Sequence, residues 1–262
     1  MDRKKRLITT LAVMVISITM IRLFFFDTQE EVAGPNNRVH VAVSSNFTNP
    51  MINIAHRFQE KTKCKIDLSF SSTGKLYAQI KNGAPFGVFF AADMTRPMLL
   101  EKEGLAILGS RFTYAVGKMV LWSRKPNFVD SQGKVLTQEN FHHLAMANPA
   151  LAPYGKAAQE VLTDRVYNHL QPKIVLGENI SQAFQFVHSE NAELGFVAYS
   201  QVKRPDKPLE GSYWEVPQSL YTSIEQQAVL LKEDKVARKF LDFVQCNEAQ
   251  DIICSYGYGI PK

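Results

Sequence analysis

The sequence has little cysteine and no dense run of basic residues. Its 262 residues include three cysteines, Cys64, Cys246 and Cys254. The last two lie eight positions apart in a helical pattern, about 12 Å along a helix axis, which is too far for a disulfide. The chain must therefore take its stability from its core. The net charge is only +5, and no basic cluster is interleaved with aromatic residues, which argues against nucleic acid as a partner.

Motifs typical of catalysis or metal binding are also missing from the sequence. It contains no G-x-S-x-G, no H-E-x-x-H and no Cys-His arrangement, so neither an enzyme nor a metal site is predicted. His142 and His143 lie in a predicted loop without a partner at metal-ligand spacing. Gly74 and Lys75 do not complete a phosphate loop, and Lys75 is predicted to be solvated. Glu178 is predicted to point away from any bound anion, because like charges repel.

The first residues form a segment of their own. Residues 3–6 are all basic and residues 7–20 are almost purely apolar, which is typical of an export signal. The apolar stretch from Leu7 to Phe26 has twenty residues, enough to span a bilayer if Arg22 reaches the interface. Residues 1–37 are therefore predicted to be a signal peptide or an N-terminal membrane anchor plus a linker. Both alternatives remain open, and both predict export to the periplasm.

Patterns of strands and helices alternate along the rest of the chain. Strand-like runs occur at residues 38–43, 65–70, 88–91, 144–147, 173–176, 195–199 and 226–231. Amphipathic helical patterns follow most of them, and a terminal helix is predicted at about residues 234–254. This alternation predicts an α/β architecture with mostly parallel sheets. The β-rich residues 114–123 are predicted to pass between two lobes.

Four strand-to-helix junctions are rich in groups that can donate hydrogen bonds. They are Ser44-Ser45-Asn46, Ser71-Ser72-Thr73-Gly74, Ala152-Pro153-Tyr154-Gly155 and Glu178-Asn179-Ile180. In α/β sheets, ligands bind beyond the carboxyl ends of strands, where helix starts present unpaired N–H groups and partial positive charge. Two junctions from each half of the chain would enclose a small anion without any formal positive charge. After the first junction, Pro50 would be the first helical residue if Asn49 is the cap.

These junctions belong to a longer series of motifs. The series continues with Asn82-Gly83-Ala84-Pro85-Phe86, Ala91-Ala92-Asp93, Phe196-Val197-Ala198-Tyr199-Ser200-Gln201 and the ending Tyr256-Gly257-Tyr258-Gly259. In this order and spacing, residues 38–262 resemble the periplasmic molybdate-binding proteins of ABC importers. The resemblance implies a two-lobed type II periplasmic-binding-protein fold, in which each lobe is a mostly parallel sheet flanked by helices and the ligand cleft lies between the lobes. Residues 38–117 would form the first part of lobe 1, residues 118–223 lobe 2, and residues 224–262 the return segment of lobe 1.

The resemblance also implies a ligand and its contacts. The ligand would be molybdate or tungstate, with no cofactor, and with molybdenum held only as the oxyanion, without direct protein ligands to the metal. A permease and its ATPase would be the partners of a monomeric receptor. The implied ligand-binding residues are Ser45, Asn46, Ser72, Thr73, Tyr154 and the backbone N–H of Ile180. Some members add a later tyrosine, but Ala198 occupies that place here and Tyr199 follows one residue on. Two alternatives stay open, a receptor for another oxyanion such as sulfate and a membrane-anchored oxyanion sensor.

Overall fold

Two mixed β-sheets of the same topology organise the protein. A computed structural model describes residues 37–138, 140–163 and 165–260. The strands in this part of the chain are β1 (Arg38–Ser44), β2 (Lys65–Ser71), β3 (Val88–Phe90), β4 (Phe112–Gly117), β5 (Met119–Ser123), β6 (Leu144–Ala147), β7 (Ile174–Gly177), β8 (Leu194–Ala198), β9 (Ser212–Glu215) and β10 (Ile224–Leu230). The first sheet has the order β2-β1-β3-β10-β4 and the second β7-β6-β8-β5-β9. Both belong to one compact unit, Asn36–Lys262.

In each sheet four strands are parallel to one another and one strand runs in the opposite direction. The reversed strand is β10 in the first sheet and β5 in the second. In the first sheet β1 runs parallel to β2 and β3, whereas β10 is antiparallel to β3 and β4. In the second, β6 runs parallel to β7 and β8, whereas β5 is antiparallel to β8 and β9. This arrangement confirms the predicted two-lobed α/β fold, and each sheet with its helices is called a lobe below.

The chain crosses between the two sheets twice. The β-rich stretch at residues 114–123 is two strands, because β4 ends at Gly117 in the first sheet and β5 begins at Met119 in the second. Lys118 alone separates them. The chain returns after β9, and β10 inserts into the first sheet between β3 and β4. The two sheets are therefore joined side by side by two neighbouring segments of chain.

Helices follow most of the strands and cover the sheets. The α-helices of the described residues are α1 (Thr48–Thr62), α2 (Thr73–Lys81), α3 (Thr95–Lys102), α4 (Val135–Gln138), α5 (Pro153–Val161), α6 (Ile180–His188), α7 (Tyr199–Val202), α8 (Lys235–Val244) and α9 (Asn247–Ser255). Short 3₁₀ segments lie at Ser45–Phe47, Arg165–Lys173 and Gln218–Leu220. The apolar residues of α1 at helical spacing, Met51, Ile54, Ala55 and Phe58, are buried in the core of the first lobe.

Two sequence-based expectations about helix boundaries are wrong. The single terminal helix predicted at residues 234–254 is divided into α8 and α9, because Cys246 has an extended backbone (φ −74°, ψ 158°) and caps a new helix. Both halves pack on the core of the first lobe. In addition, α1 begins at Thr48, so Pro50 is its third residue rather than its first.

The N-terminal segment lies outside the described residues except for Asn37. The predicted signal peptide or anchor at residues 7–26 therefore remains a prediction. Among the helices of the described residues, none combines the length and the hydropathy needed to cross a bilayer.

Candidate functional site

The four donor-rich junctions meet at a small cavity between the two lobes. Ser45 and Asn46 follow β1, and Ser72 and Thr73 follow β2. Tyr154 lies at the start of α5 and Ile180 at the start of α6. The cavity is lined by these six residues together with Ser44, Ser71, Ala92, Ala152 and Pro153. The structure thus brings together all six residues to which the family resemblance assigns the main ligand contacts.

The starts of the helices explain why this cavity favours an anion. Ser72 caps α2, where its side chain accepts from Lys75 N at 3.4 Å, and Asn179 caps α6, where its side chain accepts from Gln182 N at 3.0 Å. Pro153 begins α5. The first N–H groups of a helix have no partner within the helix and carry partial positive charge. Three α-helix starts and the 3₁₀ segment after β1 therefore present donors at one place.

A pair of hydroxyls closes the cavity from the first lobe. Ser44 Oγ and Thr73 Oγ1 lie 2.7 Å apart, and the backbone N–H of Ala92 donates to both, at 3.1 Å and 3.3 Å. Since only one of the two hydroxyl hydrogens can lie between the oxygens, the other is left to donate to a ligand. Ser44 was missed as a site residue, although it belongs to a junction that the sequence analysis identified. The contact of Ser44 with Thr73 depends on the register between β1 and β2. Ser44 at the end of β1 lies opposite Ser71 at the end of β2, and Thr73 follows Ser71 by two residues.

No formal charge lines the cavity. Its lining residues are serines, a threonine, an asparagine, alanines, a proline, a tyrosine and an isoleucine. Burial is the largest of the causes that raise the pKa of Tyr154 well above its ordinary value of 10.0, so this tyrosine stays protonated at neutral pH. The site therefore offers hydrogen-bond donors without an ionised side chain of either sign.

Asn46 is held by an inner network of hydrogen bonds. Its Nδ2 donates to Gln226 Oε1 at 2.8 Å and to Tyr258 OH at 3.0 Å. Its carbonyl oxygen accepts from Ser200 Oγ at 3.1 Å and from Tyr258 OH at 2.9 Å. This carbonyl is free for side chains because Pro50, four residues on, has no N–H to donate to it. Both side-chain hydrogens of Asn46 are thus engaged within the protein, and the residue lines the cavity.

Tyr154 joins the same network from the second lobe. Its hydroxyl accepts from Gln226 Nε2 at 3.3 Å, and Gln226 Oε1 also accepts from Tyr114 OH at 2.9 Å. A Cβ placed on Gly117 would collide with this Tyr154 hydroxyl. The hydroxyl of Tyr154 therefore lies where the chain crosses between the lobes, while the first turn of its helix borders the cavity. Gln226 was missed because no local motif marks it, whereas Ser200 and Tyr258 lie in motifs of the series but were not assigned to the site.

Comparison with known proteins agrees with this geometry. The family model described as "Bacterial extracellular solute-binding protein" matches residues 39–259. The chain belongs to this family. Among its relatives, the molybdate-binding protein ModA of Azotobacter vinelandii is 51% identical over 226 residues, covering 85% of this chain and 90% of the relative. ModA of Rhodobacter capsulatus is 50% identical over 224 residues, covering 84% and 87%.

A solved structure is similar over the same part of this solute-binding protein. The Azotobacter vinelandii periplasmic molybdate-binding protein matches with a TM-score of 0.83 and 40% sequence identity. The match covers 86% of this chain and 100% of the chain in the solved structure. The similarity therefore extends over both lobes and includes all four junctions of the cavity.

Tyr199 lies apart from the cavity of this solute-binding protein. Its ring packs against Tyr213, with centroids 5.8 Å apart, and Lys203 Nζ lies 5.6 Å from its centroid. Burial, followed by the hydrogen bond to Tyr213, raises the pKa of Tyr199 to about 12. The structure does not bring this side chain to the six other predicted site residues. A contact between Tyr199 and a ligand stays an untested prediction that this geometry does not favour.

The lobes of the binding protein also touch directly beside the cavity. Gly74 N donates to Leu151 O at 2.9 Å, and Ser181 Oγ donates to Ser45 O at 3.1 Å. Lys75 Nζ lies 2.6 Å from Glu178 Oε2, an ion pair that the sequence did not predict, although both side chains remain partly exposed and Glu178 stays outside the cavity as expected. The starts of α2 and α6 face one another, which brings these two charged residues together at the edge of the site. Neither of them lines the cavity.

In the described part of the chain, no group of three or more His, Cys, Asp or Glu side chains is arranged to hold a metal ion. His142 and His143 instead direct their backbone N–H groups to the carboxylate of Glu193, at 3.3 Å and 2.9 Å. These histidines are therefore part of a loop contact within the second lobe.

Proposed function

We propose that this protein is the substrate-binding component of an ABC importer for molybdate and tungstate. It binds the tetrahedral dianion between its lobes and delivers it to a membrane permease with an ATPase subunit. The observation that carries the proposal is a cavity built from helix starts and hydroxyls of both lobes, without a charged side chain. The relatives that are named as molybdate-binding proteins, at 50% identity or more, support the choice of anion. The protein acts as an exported binding protein and not as an enzyme.

The donors of the site suit a fully deprotonated oxyanion. The ligand contacts come from Ser45, Asn46, Ser72, Thr73 and the first turns of α5 and α6 at Tyr154 and Ile180, with Ser44 as an added hydroxyl. Hydrogen bonds from neutral donors to an ionised group contribute roughly 1.5–3 kcal/mol each. Several such bonds around one ion account for tight binding without a formal positive charge.

The hydroxyls of the site are also arranged to donate rather than accept. Ser44 Oγ and Thr73 Oγ1 accept from Ala92 N, and Ser72 Oγ accepts from Lys75 N. Hydrogen phosphate carries a proton that needs an acceptor, and leaving that donor unpaired costs about 1–3 kcal/mol. Sulfate carries no proton and is smaller, so its oxygens would lie too far from donors spaced for a larger ion.

Calorimetric titration with molybdate, tungstate, sulfate and phosphate tests the proposal. Molybdate and tungstate are expected to bind tightly and nearly equally, and sulfate and phosphate far more weakly. A parallel thermal-denaturation series should show about 2.7 kcal/mol of added stability at a ligand concentration of 100 times Kd. Sulfate binding as tightly as molybdate would overturn the assignment and favour a receptor for another oxyanion.

The N-terminal segment needs a separate experiment. N-terminal sequencing of the exported protein distinguishes a cleaved signal peptide from an anchor at residues 7–26. A cleaved product is expected for a receptor that moves freely to its permease. An intact N-terminus would favour a membrane-anchored receptor or an anchored oxyanion sensor.

A further inference from the structure

Gln226 lies behind the cavity and is completely buried, with 0% of its surface exposed. It belongs to β10, the strand that returns the chain to the first lobe, at the point where its pairing with β4 shifts register. Its side chain does not line the cavity. Buried amides need partners for both ends, because an unpaired polar group in the interior is costly. The partners of Gln226 therefore show what its side chain does.

These partners come from both lobes. Gln226 Oε1 accepts from Asn46 Nδ2 at 2.8 Å and from Tyr114 OH at 2.9 Å, both in the first lobe. Gln226 Nε2 donates to Tyr154 OH at 3.3 Å in the second lobe. The opposite orientation of the amide would set its NH₂ group against the NH₂ group of Asn46. The neighbours thus fix which end of the amide faces which lobe.

We propose that Gln226 is a positioning residue for oxyanion binding, which holds Asn46 of the first lobe and Tyr154 of the second in place at the cavity that both residues line. This inference rests on the proposed function. Through Asn46, Gln226 fixes the short turn Ser45–Phe47 that follows β1. Through Tyr154, it fixes the first turn of α5. One amide outside the cavity therefore sets the distance between donors that belong to different lobes.

The next residue along the strand is a matched control. Gln227 is also buried, with 7% exposure, and its amide is also hydrogen-bonded at both ends. Its Oε1 accepts from Arg111 Nη1 at 2.7 Å and its Nε2 donates to Thr113 Oγ1 at 3.0 Å. Both partners belong to the first lobe and neither lines the cavity. A change at Gln227 disturbs β10 to a similar degree without touching the link between the lobes.

Calorimetry with tungstate on the full chain separates a positioning role from a merely structural one. Gln226→Met keeps the size of the side chain but removes its hydrogen bonds, and it is expected to weaken tungstate binding about tenfold or more, a factor that corresponds to about 1.4 kcal/mol. Gln227→Met is expected to bind as the wild type does. Equal affinities for Gln226→Met, Gln227→Met and the wild type would overturn the inference. Failure of the wild type to bind tungstate would instead overturn the proposed function.

Gln226→Glu provides a rescue test with nearly the same shape, in case Gln226→Met does not fold. A protonated carboxyl can accept from Asn46 and donate to Tyr154 as the amide does, whereas a carboxylate cannot donate and repels the dianion. Burial raises the pKa of such a carboxyl, so the titration is followed from about pH 6 to about pH 9. Affinity should approach the wild-type value at the acidic end and fall as pH rises. Affinity no higher than that of Gln226→Met at the acidic end would show that the restored hydrogen bonds do not rescue binding and would overturn the positioning role.

The titratable groups that face Gln226 are not expected to change their charge between about pH 6 and about pH 9. Tyr114, Tyr154 and Tyr258 surround it, and burial is the main cause that raises the pKa of each of the three hydroxyls above its ordinary value of 10.0. Asp93, the carboxylate whose charge acts on Tyr114, is paired with Arg96. The introduced carboxyl is therefore the group expected to titrate, and the wild type should bind tungstate evenly across the same range.

Discussion

Lys75 of the first lobe and Glu178 of the second form an ion pair across the ligand cleft, with Nζ and Oε2 2.6 Å apart. The two side chains remain 39% and 62% exposed, so solvent screens the pair. It lies at the edge of a site whose own lining carries no charge. The pair thus joins the lobes from outside while neutral donors hold the ion inside.

Removing this ion pair should weaken ligand binding only slightly. Exposed pairs contribute about 0.2–1 kcal/mol, so Lys75→Met or Glu178→Gln is expected to lower molybdate affinity less than about fivefold. The double variant should be no weaker than either single one, and added salt should reduce the difference. Lys81→Met is the control, because Lys81 pairs with Glu103 within the first lobe. If Lys75→Met weakens binding more than Thr73→Ala, the neutral-donor site is wrong.

The paired hydroxyls of Ser44 and Thr73 should matter much more. Thr73→Ala removes a donor to an ionised ligand, which costs about 1.5–3 kcal/mol, or roughly a tenfold to hundredfold loss of molybdate affinity by calorimetry. Ser44→Ala should cause a similar loss, and Thr73→Ser should retain most of the affinity. Thr62→Ala serves as a control because Thr62 Oγ1 donates to Phe58 O and accepts from Cys64 N at the end of α1, away from the cavity. Wild-type affinity in both alanine variants would remove these hydroxyls from the site.

Gly117 is required where the chain first crosses between the lobes. A Cβ at this position would collide with the Tyr154 hydroxyl and lie 2.7 Å from Gln226 Nε2. Gly117→Ala should therefore lower ligand affinity by pushing Tyr154 away from the first lobe. Gly259→Ala is a close control, since its Cβ would lie 3.4 Å from Val116 Cβ and away from the network. Equal binding by the two variants would show that the crossing tolerates this displacement.

Ligand is expected to favour the closed arrangement of the two lobes. Each lobe supplies only part of the donors, so only the closed state makes all the contacts with the ion. Small-angle scattering should give a smaller radius of gyration with molybdate than without it, while sulfate at the same ionic strength should leave the radius unchanged. A radius that does not change at saturating molybdate would indicate a preformed site.

Alkaline pH should destabilise the protein through its buried tyrosines. The pKa values of Tyr114, Tyr154 and Tyr258 lie above 10.0 in the folded protein, chiefly because burial disfavours the charged form. Above about pH 10 the unfolded chain loses these protons while the folded chain keeps them, so stability present below that pH is lost as pH rises. The free energy of unfolding should then fall by up to about 1.4 kcal/mol per pH unit for each tyrosine.

Denaturant titrations at a series of pH values measure this slope. Tyr154→Phe should make it shallower, because one of the three buried hydroxyls is removed. Tyr77→Phe, at a half-buried position whose hydroxyl donates to Glu103 at 3.0 Å, controls for the loss of a hydroxyl in itself. The same slope in Tyr154→Phe and the wild type would show that Tyr154 does not contribute to it.

The sequence by itself determined the alternation of strands and helices and the four donor-rich junctions. These signals are local, since apolar periodicity and helix caps depend on residues within a few positions of one another. Where strands are parallel, their carboxyl ends meet at one edge, so the sequence was sufficient to bring Ser45, Thr73, Tyr154 and Ile180 to one site.

Only the tertiary structure decided which groups support that site. Gln226 and Asn46 are 180 residues apart, Lys75 and Glu178 lie in different lobes, and Ser44 meets Thr73 through the register of β1 with β2. Tyr199, although it belongs to a motif of the family, faces Tyr213 instead of the cavity. Such contacts depend on strand register and on the fit of two packed lobes. Local patterns carry neither, because the same serine, glutamine or tyrosine would suit many other surroundings.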